Sequence, residues 1–436
     1  MNKRRNTVIV IMFLSLIGAL ATGNELLFNL TYLLGLLLIF SFLWAWSNIN
    51  WVYIARVTQT RRTQVGRPLE ERFTVRNTSR IPKLWLELRD FSNLPGHLAS
   101  KVVYSLSGLD SFSWRVNTLC RERGRYQLGP ILLSSSDPFG FFPMERELTA
   151  TTHVVVYPMT YELHEFTLPI GVLPGGDALR RRTHYVTTNA SGVREYAPGD
   201  SFSRIHWRSV ARRGRLIVKD FELDPLADIW VLPDMAAMGH VISAEMHAEI
   251  RRQQREGNSI PIWMRLTKEE FSLPEATEEY TVAAAASLAH HFLRRDRAVG
   301  MLAYGQSKEL VQPDRGERQR TRILETLAVL RAVGSLPLAD IVHAESHLFP
   351  RGTTILAITP TTSSTWVAAV QQLTRRGLRV VTILVDPESF GGRQSAKPLA
   401  TLLQANGFSC HLLQQGDDLA AVLSTGYSAP LVHRQI

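Results

Sequence analysis

Cysteine is nearly missing from this chain: Cys120 and Cys410 are the only two in 436 residues. That excludes a disulfide framework, and two thiols so far apart in sequence offer no metal knuckle. Two reduced thiols, in a main body facing a reducing compartment, are expected. The familiar catalytic signatures are lacking as well. No G-x-x-x-x-G-K-S/T phosphate loop occurs, no G-x-G-x-x-G, no H-E-x-x-H and no G-x-S-x-G elbow. The commonest nucleotide-binding, zinc-protease and hydrolase readings therefore drop out, and no cofactor is expected.

Acidic residues are scarce in one place. Between Arg180 and Lys219 stand ten Lys or Arg against two acids, Glu195 and Asp200, a local balance of +8 within +10 for the whole chain. The rest is close to neutral, so the block implies a specific anionic partner or a charge network rather than general basicity. Three readings stay open. Arg194, Arg204 and Lys219 could pair with Asp200, Glu195 and Glu222; the block could dock a protein partner; or it could meet lipid or nucleic acid. No nucleic-acid module accompanies it, so nucleic acid is not an expected partner.

What is present begins with two long apolar runs, Thr7–Thr22 and Leu26–Trp46. At about 1.5 Å per helical residue the second crosses a hydrocarbon core of roughly 30 Å easily and the first only just. Lys3, Arg4 and Arg5 precede them, Arg56, Arg61, Arg62 and Arg67 follow, and the link holds one acid, Glu25. Positive charge at both ends predicts a two-pass hairpin in the cell (inner) membrane, with termini and main body cytoplasmic. Trp44, Trp46 and Trp51 fit an interfacial aromatic belt. A cleaved signal peptide is the competing reading of the first run, given its basic start and Ala19-Leu20-Ala21. The second run remains an anchor in either case.

From Val52 to Leu168 short alternating stretches predict half-buried strands and a small β-sandwich, with Glu71–Asn77, Leu84–Leu88 and Ser111–Val116 as examples. Asp137-Pro138-Phe139-Gly140 is turn chemistry. From Asp228 the rhythm changes to strands alternating with amphipathic helices. Strands are expected at Ile229–Leu232, Ala298–Tyr304, Thr354–Ile358, Arg379–Val385 and Ser409–Leu413. Helices are expected at Thr277–Arg295, Gly316–Val333, Ser364–Arg376, Lys397–Asn406 and Asp418–Leu423. This pattern predicts a parallel, doubly wound α/β sheet with its chemistry at the carboxyl ends of the strands. The organisation is then a transmembrane hairpin over 1–50, a β-sandwich over 51–170, a basic linking segment over 171–226 and an α/β domain over 227–436.

The most distinctive stretch is SGVREYAPGDSFSRIHWRSVARRGRLIVKDFELD, residues 191–224. Here Ile205-His206-Trp207-Arg208 and Leu216-Ile217-Val218 read as packed segments flanking a basic link. The chain resembles the bacterial family called domain of unknown function 58. The resemblance rests on Gly192, Arg194, Tyr196, Gly199, Asp200, Arg204, Ile205, Trp207, Ala211, Arg212, Leu216, Val218 and Lys219, and on the earlier Arg123-Gly124-Arg125-Tyr126 and Asp137–Gly140. It implies an α/β domain similar to von Willebrand factor type A, and a membrane-tethered partner of MoxR-type AAA+ ATPases acting on client proteins. The first expectation is a non-enzymatic adaptor or assembly factor, with Arg194, Tyr196, Gly199, Asp200, Arg204, His206, Trp207, Arg208, Arg212 and Lys219 as its partner-binding signature. The alternative is a cell-envelope enzyme built around Arg194, Tyr196, Asp200, His206 and Arg208.

Domains of the type A class often hold Mg²⁺ on Asp-x-Ser-x-Ser after the first strand, which suits a hard cation. This chain reads Asp234-Met235-Ala236-Ala237-Met238, and the later strand end reads Ile358-Thr359-Pro360, so both hydroxyls and an expected acid are gone. Metal binding is not expected, and Asp234 reads as a loop-bonding or capping residue. His290 and His291 are adjacent on a helix and face different sides, which disfavours a shared metal. Cys120 has Arg121 and Arg123 beside it, which could lower its pKa; with no partner nucleophile nearby it reads as structural, as does His206 beside Trp207.

Overall fold

The computed structural model describes residues 3–149, 151–164, 166, 190–196, 205–221, 228–243 and 273–424. Two helices open the chain, α1 at Lys3–Thr22 and α2 at Glu25–Ile49. The side chain of Asn24 accepts from the Leu26 N–H at 2.9 Å, capping α2, and Glu25 suits the positive end of the helix dipole. Both helices are long and apolar enough to cross a membrane. Leu14, Ile17, Leu20, Leu33 and Leu36 are exposed along their length, as a lipid-facing surface requires.

Ten strands follow: β1 (Val52–Thr58), β2 (Arg62–Gln64), β3 (Pro68–Asn77), β4 (Lys83–Asp90), β5 (Lys101–Leu106), β6 (Ser111–Leu119), β7 (Gly124–Leu128), β8 (Ile131–Ser135), β9 (Met144–Leu148) and β10 (Thr152–Tyr157). They form sheets in the orders β1-β3-β6, β5-β4-β8-β9 and β2-β10-β7. Alternation along the strands puts Ile54, Phe73 and Val75 of the first sheet against Leu86, Leu88, Val103, Ile131 and Leu133 of the second, in one shared core. The expected turn after β8 is present, with the Gly140 N–H donating to the Asp137 carbonyl at 3.0 Å.

The chain divides into two compact units. One is built on Met1–Met159 and takes in Leu324–Leu330; Thr160 begins the other. In the second unit β11 (Ala190–Glu195), α3 (Trp207–Arg213) and β12 (Ile217–Phe221) precede a six-stranded sheet. Its members are β13 (Ile229–Pro233), β14 (Val299–Tyr304), β15 (Lys308–Asp314), β16 (Thr354–Thr359), β17 (Arg379–Val385) and β18 (Ser409–Leu413), in the order β15-β14-β13-β16-β17-β18. Neighbours are parallel except β15, which runs antiparallel to β14. The all-parallel expectation is thus corrected at one edge, where half-exposed, charged Lys308–Asp314 gives no strong strand signal.

Helix α4 (Thr277–Arg294) lies against β13, β14, β16 and β17. After β15 comes α5 (Gly316–Val329), followed by α6 (Leu338–Ala344), α7 (Thr365–Arg375), α8 (Lys397–Ala405) and α9 (Leu419–Ser424). Ile341, Trp366, Val370, Leu399 and Leu403 of α6, α7 and α8 share a core with Trp230, Leu232, Ile355 and Ala357. Strand side chains alternate between faces, so a two-faced sheet needs the near-continuous apolar strands seen here.

Candidate functional site

The signature stretch folds as a small antiparallel pair. Glu195 lies opposite Ile217, Arg194 opposite Val218 and Val193 opposite Lys219. Ile205 bridges to Val218 and the His206 N–H donates to the Ile217 carbonyl at 2.8 Å, so β12 is flanked on both sides. Tyr196 continues the ladder by donating its N–H to the Leu216 carbonyl at 3.0 Å. Helix α3 starts at once from His206, whose carbonyl accepts from the Ser209 and Val210 N–H groups. Gly214 closes it in the left-handed region at φ 68°, where a side chain would strain the backbone. Arg212 and Arg213 sit in the last turn, at the negative end of the dipole.

Ile205, Ile217 and Val218 are buried, but Trp207 is 66% exposed, and Arg208, Arg212, Arg213 and Arg215 are exposed around it. The expectation of a packed Ile205–Arg208 segment is corrected: only Ile205 is buried, and Trp207 points outward. His206 is half-buried, its Nδ1 2.6 Å from the Ser209 hydroxyl. Glu195 forms an ion pair with Arg215. For Arg194 and Lys219 the backbone places them on facing strands, and Gly199, Asp200, Arg204 and Glu222 lie outside the described residues.

The carboxyl edge of the six-stranded sheet carries two buried acids. Asp234 follows β13, and its carboxylate accepts from the Thr359 hydroxyl at 2.6 Å and the Ala236 N–H at 3.1 Å. Burial raises its pKa, and the Thr359 and Ala236 hydrogen bonds and nearby His240 counter that only in part. His240 stands with Nε2 2.8 Å from the Asp234 carbonyl and Nδ1 3.1 Å from the Thr277 hydroxyl, pinning the loop. Asp386 follows β17 and accepts from the Ala396 N–H at 2.8 Å, the Ser395 hydroxyl and the Gln414 amide. Sequence reasoning passed over Asp386, although an acid directly after an expected strand was the available signal. Each carboxylate is occupied with holding its own loop. Outside them Met238 is 98% exposed, and Val333 and Leu336 are exposed nearby in a segment tied to this edge by the Gly334–Met235 and Ala237–Gly334 hydrogen bonds.

A third cluster had no sequence signal, because four strands and a loop supply it. In the first unit Arg56 pairs with Glu71 at 2.9 Å and Asp90 at 3.0 Å. His97 Nε2 lies 3.1 Å from Glu71 and 3.2 Å from Asp90, and its Nδ1 is 2.8 Å from the Thr118 hydroxyl. Burial would raise the Glu71 carboxyl, but hydrogen bonds from His97 and Arg56 and the Arg56 charge hold it at about 2. Burial would lower the His97 pKa, yet its bonds to Asp90 and Glu71 raise it on balance. All four side chains are shut off from solvent, so the cluster holds sheets together and gives a substrate no access. Both cysteines are free and buried; burial pushes Cys120 up to about 11 and Cys410 up to about 12. The arginines beside Cys120 do not activate it.

The model of the family described as "Protein of unknown function DUF58" matches residues 192–249. Among curated proteins the chain is similar to "Uncharacterized protein YeaD" of Bacillus subtilis (strain 168), at 21% identity over 227 residues. That match covers 51% of this chain and 47% of the relative, so the chain spans about half the length of the curated relative it matches. Among solved structures it is similar to the CARDB domain of the PF1109 protein from Pyrococcus furiosus, 18% identical over 24% of this chain and 86% of that chain, with a TM-score of 0.19. It is also similar to proximal thread matrix protein 1 of the mussel byssus, 13% identical over 46% of each chain, with a TM-score of 0.26. Scores this low carry no argument.

Proposed function

This chain belongs to the family described as protein of unknown function DUF58, and on that premise we propose that it is a membrane-anchored, non-enzymatic adaptor. In this reading α1 and α2 form a two-pass anchor in the cell membrane, with both termini and the main body cytoplasmic. The second unit is presented to a MoxR-type AAA+ ATPase and to client proteins. One observation carries the reading: α3 turns Trp207, Arg208 and Arg212 into solvent. Tryptophan and arginine are the residue types that most often dominate binding surfaces. The comparison with von Willebrand type A domains is supported by Asp234 at the end of β13 and by a sheet with one antiparallel edge. Asp234 already spends both oxygens on Thr359 and Ala236, so the proposed contact is made by side chains without a bridging metal.

The test is in-cell crosslinking of the full chain, extraction in mild detergent with ATP, and mass spectrometry of what co-purifies. An AAA+ ATPase at near-stoichiometric recovery, lost in the Trp207→Ala, Arg208→Glu, Arg212→Glu variant, is the expected result. Absence of such an ATPase from the unsubstituted chain, or undiminished recovery in the variant, would sink the proposal. The envelope-enzyme alternative draws on the 2.6 Å contact between His206 and Ser209. It would be favoured by a hydrolytic activity that His206→Ala and Ser209→Ala each abolish at unchanged thermal stability.

A further inference from the structure

The adaptor reading makes no use of Asp137-Pro138-Phe139-Gly140, yet that turn stands against the two apolar helices. The ring of Phe142 meets the ring of Phe42 edge-on, with centroids 5.6 Å apart. Phe42 lies inside the apolar run of α2, one helical turn before Trp46. The Arg5 guanidinium of α1 covers the Phe142 ring at 5.6 Å, and Arg4 reaches towards Gly140. A loop held between an apolar helix face and a cluster of arginines sits where hydrocarbon gives way to headgroups. Its own bonds turn an aromatic outward. The Asp137 carboxylate accepts from the Phe139 N–H at 3.0 Å and the Phe142 N–H at 2.7 Å. Phe141 is buried and stacks beneath Phe139, which stays 47% exposed.

A second observation is independent of the first. Four non-glycine residues among those described have left-handed φ, and three of them, Trp51 (56°), Trp85 (54°) and Leu109 (61°), surround the end of α2. The Thr78 N–H and hydroxyl both donate to the Trp51 carbonyl, at 2.8 and 2.7 Å, and the Leu109 N–H donates to the Ser79 carbonyl at 2.9 Å. Leu84, next to Trp85, is bonded through its backbone to the Asn48 side chain of α2. Bulky residues adopt this backbone only under strain. All three large apolar side chains are nonetheless exposed. Strain that turns tryptophan and leucine into water stabilises nothing, whereas the same conformation facing lipid buries them.

We propose that this end of the first unit is a monotopic insertion surface for the bilayer that α1 and α2 cross. Phe139 enters the boundary between headgroups and acyl chains, with Trp51, Trp85 and Leu109 lying in the same layer. Arg4 and Arg5 beside the Phe142 loop, and Arg80 against Gly108 next to Leu109, suit anionic headgroups. This inference rests on the membrane reading of the helices.

The test uses the full chain in vesicles of phosphatidylethanolamine and phosphatidylglycerol. Spin labels are placed by Phe139→Cys, Leu109→Cys, Leu33→Cys in mid-α2 and Met238→Cys in the second unit, with the unsubstituted chain as labelling background. Accessibility to oxygen relative to a water-soluble nickel complex is read by electron paramagnetic resonance. The ratio at positions 139 and 109 is expected to exceed that at 238 several-fold and to fall below that at 33. If 33 reads as lipid while 139 and 109 match 238, the insertion surface is refuted and the membrane reading stands. If 139 alone reads as lipid, the strained rim is removed from the proposal. An aqueous reading at 33 overturns both.

Discussion

Arg56, Glu71, Asp90 and His97 show how residues with unremarkable sequence neighbours can set a protein's response to pH. Glu71 sits on the inward-facing rhythm of β3, where alternation predicts an apolar residue. Its carboxyl is held at about 2 against an ordinary 4.5, and Asp90 is lowered too, so their contribution is present above about pH 4.5 and lost as pH falls towards 2. His97 is raised from 6.5; its contribution is complete below about that pH and is lost as pH rises through its folded value. Arg56, 3.2 Å from the same ring nitrogen, opposes that charge but leaves the net shift upward. The first unit should therefore be most stable between about pH 4.5 and 6.5. Thermal unfolding of His97→Gln should lose less stability between about pH 6 and 8 than the unsubstituted chain. An unchanged slope would show that His97 is neutral in the fold. None of this was legible in sequence, because the partners come from separate strands and their meeting depends on register. Asp234, by contrast, was legible in position and in its loop-bonding role.

At the scale of elements, the α/β strands announced themselves best. Arg379–Val385 and Ser409–Leu413 fall on the expected residues because buried parallel strands are continuous apolar runs. Helix ends were less legible. α5 was expected to reach Val333 but stops at Val329, since Gly334 must meet Met235 and a Cβ there would stand 2.2 Å from the Tyr304 carbonyl. The stop is reinforced from β-strand territory. Arg123, fully buried, donates to the Leu327 carbonyl at 3.2 Å and the Leu330 carbonyl at 2.8 Å, in the turn that belongs to the first unit. A cation at a helix C-terminus satisfies carbonyls that the helix cannot. Arg123→Ala should destabilise by about 3 kcal/mol, since two buried carbonyls lose a charged donor. Denaturant unfolding measures this, and a loss below about 1 kcal/mol would mean water replaces the side chain. The signature helix was the element read least well: its tryptophan looked like core by composition, yet α3 buries none of its seven residues and leaves Trp207 in solvent.

For the whole molecule, the junction between anchor and body matters most. Only Asn50 and Trp51 separate α2 from β1. Asn48 bonds to Leu84, Lys83 to the Ser47 carbonyl, and Arg146 to the carbonyls of Ile49 and Val52 at 3.4 and 3.3 Å. Inserting Gly-Ser-Gly after Asn50 should break this seam and lower the stability of the first unit in detergent by about 2 kcal/mol, the worth of a few hydrogen bonds. An insertion tolerated without any shift of the unfolding midpoint would show that the seam is loose. Where α1 and α2 lie in a bilayer, such a junction denies the strands a tumbling motion of their own. They can spin only about the membrane normal, at the lipid's viscous pace, and force applied to them would pass into the bilayer as helix tilt instead of being absorbed by a slack tether.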